Sequence, residues 1–146
     1  MLIQIPRAIA VILLSATPAL AWETRPGRVC ELIHDGENAF VRVTYDPAIA
    51  EYAIEVRTVE PWPGGPIFAM RFDGPRGLTI TTDRHIASDE GRSLTVTDSG
   101  FGNLLNGLEF NHTATALLGD RAVPVSLDGA APAVQDFRAC AAGLNA

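Results

Sequence analysis

Apolar and polar residues alternate with a period of two through most of this chain, and that period predicts strands. Residues 39–45 are the clearest case, with Val41, Val43 and Tyr45 opposite Arg42 and Thr44. Residues 52–58 repeat it, placing Tyr52, Ile54 and Val56 inward against outward Glu55 and Arg57. Further strands are predicted at 28–33 (Cys30 and Leu32 on one side), 67–72 (Phe68, Met70, Phe72), 78–82 (Leu78, Ile80), 93–97 (Leu94, Val96), 113–118 and 122–127. Between them stand turn signals. These are residues 34–38 with Asp35-Gly36, then Asp46-Pro47, 73–77, 98–100, and the hairpin residues 119–121. Residues 60–66 carry three prolines, which remove backbone donors, so they read as a loop. Residues 83–91 read as polar and irregular, residues 22–27 as a lead-in, and residues 49–53 as a short helical turn.

The period changes twice. Leu104, Leu105 and Leu108 fit a short helix over residues 103–109, which Gly107 weakens. Near the end, Pro132 suits a first helical turn. Ala133, Phe137, Cys140 and Leu144 then share one helical face, and Gly143 is a natural stop. The expectation is a mainly β fold: an antiparallel β-sandwich of about 7–9 strands, with a short Leu-rich helix and a C-terminal capping helix.

The first 21 residues depart from all this. Arg7 and the terminal amine precede an apolar run, residues 8–14; Pro18 breaks it, and Ala19-Leu20-Ala21 offers small residues where a signal peptidase reads. A signal peptide over 1–21 is expected, leaving a single β-sandwich domain over 22–146 in the periplasm or outside the cell. As a membrane anchor the run is far short of the ~20 residues needed to span a bilayer. No membrane span is expected after cleavage.

All 11 basic residues are arginine, and one lies in the leader. The remaining ten face 17 acidic residues, a net charge of −7 with histidine neutral. The acids are scattered, and no basic patch is interleaved with aromatics, which argues against nucleic-acid binding. Two cysteines, Cys30 and Cys140, lie near opposite ends of the processed chain. In an oxidising compartment they are expected to pair, the alternative being two buried thiols.

The pattern over residues 103–140 resembles the invasion-associated locus B family of exported bacterial proteins. It has a Leu-rich helix, two strands on a Gly turn, and Leu127-Asp128-Gly129-Ala130 leading into an amphipathic helix. The family carries a further cysteine pair in its middle that this sequence lacks. The resemblance implies a small periplasmic β-sandwich without an assigned catalytic site, in a family of which some members are linked with host-cell invasion or the cell surface.

Chemistry is sparse. Asp83, Arg84 and His85 form the densest polar group; in extended chain Asp83 and His85 share a side and, with His112, offer a metal site or an oriented base. The plainer reading is a polar loop in which Arg84 pairs with an acid. Ser88, Ser93, Ser99 and Ser126 lie in no nucleophile elbow, and residues 99–103 lack a phosphate-loop Lys. No catalytic residue, metal ligand or cofactor is assigned. Trp62, held between prolines, is a candidate for partner contact, because a stiff loop loses little entropy on binding; otherwise it folds back over a sheet end. The expected function is an exported, non-enzymatic domain that binds another protein or an envelope component. The alternative is a small hydrolase or metal-binding module using Asp83, His85 and His112.

Overall fold

A computed structural model describes residues 2–6, 8–14 and 22–144. Residues 8–14 form no helix or strand, and their apolar side chains, Leu14 among them, are exposed. The expected cleavage point after Ala21 lies outside the described residues. No helix among those described is long and apolar enough to cross a membrane.

From Trp22 onward the alternating segments form two antiparallel sheets. The strands are β1 (Glu23–Arg25), β2 (Cys30–Asp35), β3 (Phe40–Asp46), β4 (Glu51–Arg57), β5 (Phe68–Asp73), β6 (Leu78–Thr82), β7 (Ile86–Ser88), β8 (Ser93–Asp98), β9 (Thr113–Leu118) and β10 (Arg121–Ser126). The first sheet runs β1-β2-β3-β4-β8-β7 and the second β10-β9-β5-β6. Two helices complete the fold, α1 (Gly102–Phe110) and α2 (Ala130–Leu144).

Register follows the alternation, because a one-residue slip would turn every apolar side chain outward. Leu32, Val43, Ile54 and Val96 line up across β2, β3, β4 and β8. In the second sheet Phe68, Met70 and Phe72 face Leu118, Ala116 and Ala114 of β9. The small alanines make room for the large β5 side chains, and both sets belong to one buried core.

Helix α2 closes the end of the sandwich near β1 and β2. Phe137 is fully buried; removing such a ring from water contributes about 2 to 3 kcal/mol. The Thr24 hydroxyl donates to the Ala133 carbonyl. Cys140 is bonded to Cys30, with Cα atoms 6.1 Å apart across a sequence separation of 110 residues. Arg138 joins α2 to α1 by donating to Glu109 at 3.0 Å and to Asn106 at 2.8 Å.

Five local expectations are corrected. Residues 22–27 are not merely a lead-in, since β1 pairs with β2 and Trp22 is buried, its indole donating to the Ser126 carbonyl and stacking on His34 at 4.5 Å. His34 and Asp35 continue β2 instead of turning. Residues 83–91 contain β7, which pairs with β8 and raises the strands to ten among the described residues. Three-residue strands show no period, so alternation cannot announce them. Finally, Gly143 does not stop α2, which runs to Leu144, and residues 49–53 hold a turn and then the start of β4.

Candidate functional site

The two sheets do not close on each other everywhere. After β6 the chain leaves the second sheet, crosses through residues 83–85, and joins the first sheet as β7. Beside that crossing lies a cleft of about 460 Å³. One wall is Phe68, Met70 and Ile80 of the second sheet; the other is Ile54 and Val96 of the first; Phe101 and Leu104, at the start of α1, form its end. Ile80 and Val96 are only partly buried, as side chains at an open mouth must be.

The mouth is polar. Arg84 of the crossing donates to the Asp98 carboxylate at 3.1 Å. Both side chains are well exposed, so the pair is screened by water and contributes little to stability. The Ser99 backbone N–H bonded to Asp98 holds the Asp98 carboxyl below its usual range; desolvation opposes it, and the Arg84 guanidinium adds to the lowering. Behind Phe101 stands Tyr52, its ring 5.5 Å away. Burial, and then the neighbouring Tyr45 hydroxyl, push the Tyr52 phenol up, while Arg138 works in the other direction.

His85 does not face a catalytic partner. Its Nε2 lies 3.0 Å from the Gly65 carbonyl, which only accepts, so Nε2 carries the proton and the ring ties the crossing to the proline loop. Its Nδ1 is buried without a hydrogen-bond partner. Asp83, beside it, is exposed. His112 is elsewhere. Its backbone pairs with Asp73 and Leu127 at the far end of β5, whereas His85 packs 6.2 Å from Phe68 at the near end. Those ends are roughly 17 Å apart at the rise of a strand. The three residues therefore do not converge, and among the described residues no group of three His, Cys, Asp or Glu side chains is placed to hold a metal ion.

Trp62 is not an exposed contact; it folds back over the core, the other reading of its loop. It is 7% exposed, edge-on to Phe68 at 6.3 Å, with Arg121 over its ring at 4.8 Å. The loop folds back because Trp62 N–H bonds Gly91, and because Arg121 donates to the Glu60 and Pro61 carbonyls and the Thr58 hydroxyl. The prolines stiffen a lid on the core. Of the site candidates Trp62, Asp83, Arg84, His85 and His112, only Arg84 lines the cleft. Ile80 and Val96 were legible as inward strand residues but carried no sign that their neighbours would leave a gap. No protein-family model matches this chain, and no curated protein or solved structure matches it either.

Proposed function

We propose that this is an exported domain of the periplasm or cell surface that binds another protein or an envelope component without catalysing a reaction, and that an apolar part of the ligand enters the cleft between the sheets. The observation that carries this reading is the cleft itself. Its volume of about 460 Å³ falls within the ~300 to 1,000 Å³ usual for ligand sites, and its walls are apolar with a few polar groups at the rim. The leader pattern and the disulfide support export. The order of α1, β9, β10 and α2 is also the order on which the resemblance to the invasion-associated locus B family rests.

The test uses anilinonaphthalene sulfonate as an apolar probe, with near-ultraviolet circular dichroism to establish native packing. Val96→Phe fills the cleft from one wall. Probe binding to the native protein, lost in the filled variant, is the expected result. Equal binding by both proteins would place the probe elsewhere and remove the cleft from the proposal.

A further inference from the structure

Each sheet has two edges, and the fold treats the four differently. Strand β1 is three residues long and lies under α2, held by the bond from Thr24 to Ala133. Strand β7 is also three residues long. Strand β10 contains Pro124, whose carbonyl already accepts from the Asn38 amide at 3.0 Å. Short length, proline and capping contacts are the devices by which proteins keep sheet edges from pairing with other chains. Strand β6, Leu-Thr-Ile-Thr-Thr, has none of them. It is five residues long, four of them β-branched, with no charge and no proline.

Among the described residues, no backbone hydrogen bond links β6 to any element other than β5. Helix α1 reaches this sheet through its inner face, where Gly107 sits on Phe72 and Leu104 lines the cleft with Ile80. Half of the backbone groups of an edge strand point away from its one neighbour. Alongside them, Ile80 lines the cleft with Thr81 and Thr82 at its rim, while Thr79 is exposed outside it.

The geometry points to β6 as a site of strand addition, where an extended peptide segment of a partner polypeptide, apolar at alternate positions and low in charge, pairs with its free edge. This rests on the cleft reading above and deepens it. Backbone hydrogen bonds to β6 supply the attachment, and every second side chain of the added strand turns inward beside Ile80 toward Val96. A polypeptide is the fitting occupant because only a repeating amide backbone satisfies the alternating donors and acceptors of a strand edge.

The experiment titrates the disulfide-bonded protein with a synthetic peptide of about six residues alternating valine and threonine. A second peptide is identical except for an N-methyl group on every amide, which leaves neither of its edges a donor. Backbone amide shifts and hydrogen exchange are followed by NMR. The expected result is protection and shifts concentrated in β6 and the cleft walls, with the methylated peptide weaker by more than about tenfold because it lacks the donors β6 would accept from. Ile80→Lys, an inward charge at the edge, is expected to abolish binding while circular dichroism stays native. If both peptides bind equally and the apolar probe still responds to Val96→Phe, strand addition is overturned and the cleft reading stands. If neither peptide binds and the probe is indifferent to Val96→Phe, both fall. A stable dimer dissolved by Ile80→Lys would overturn the foreign peptide as occupant in favour of a second copy of this chain.

Discussion

The guanidinium of Arg84 and the carboxylate of Asp98 meet 3.1 Å apart at the mouth of the cleft, tying the segment that changes sheets to the last residue of β8. Because both are exposed, Arg84→Ala should leave stability nearly unchanged while widening access to Ile80 and Val96. Faster uptake of the apolar probe at nearly unchanged urea midpoint is the expected pair of readings. The folded-state pKa of Asp98 is depressed, so whatever it contributes is present above its ordinary pKa and is lost as pH falls through its lower folded value. Asp98→Asn should accordingly flatten the acid limb of a stability profile.

Gly107 permits the close approach of α1 to β5. A Cβ there would lie 2.5 Å from the Phe72 ring, which is itself fully buried. Gly107→Ala adds helix propensity worth about 1 kcal/mol, but overpacking of this kind costs about 1 to 3 kcal/mol. Net destabilisation is expected in chemical unfolding; a stabilised variant would show that the helix shifts freely.

The disulfide closes a loop of 110 residues. In the chain-entropy treatment a closure of that size is worth about 4 to 5 kcal/mol. Reduction, or Cys140→Ser, should lower the unfolding free energy by that order. Equal midpoints with and without reductant would mean that α2 docks without help from its covalent tie.

Tyr52 supplies an alkaline limb. Its phenol is raised above the ordinary 10.0 by burial first and Tyr45 second, so the folded state holds the proton more tightly than the unfolded chain. That contribution is complete below about pH 10 and is lost as pH rises through the folded value. Tyr52→Phe should remove this part of the alkaline decline, read as urea midpoints against pH.

Arg121 braces the proline loop through three acceptors and the face of Trp62. Arg121→Ala is expected to cost about 1 to 3 kcal/mol, since hydrogen bonds to charged groups are at the strong end. It should also red-shift Trp62 emission, measured in a Trp22→Phe background. Arg121→Lys should restore little, because a point charge cannot reproduce the planar fork.

Periodicity and turn residues alone fix the long strands and both helices, and leave Cys30 and Cys140 either paired or as two buried thiols. Strict alternation places Val41, Val43, Ile54 and Phe72 inward whatever the partner strands prove to be, and two cysteines permit one connectivity. Contacts between distant parts of the chain set everything else. Strands β1 and β7 exist because a neighbour offers them hydrogen bonds, not because three residues carry a period. Trp62 is buried because Arg121, far along the chain, pulls its loop down. The cleft between Ile80 and Val96 arises where two sheets diverge beside a crossing, and a gap between elements is a property of their packing, which no single stretch of residues encodes.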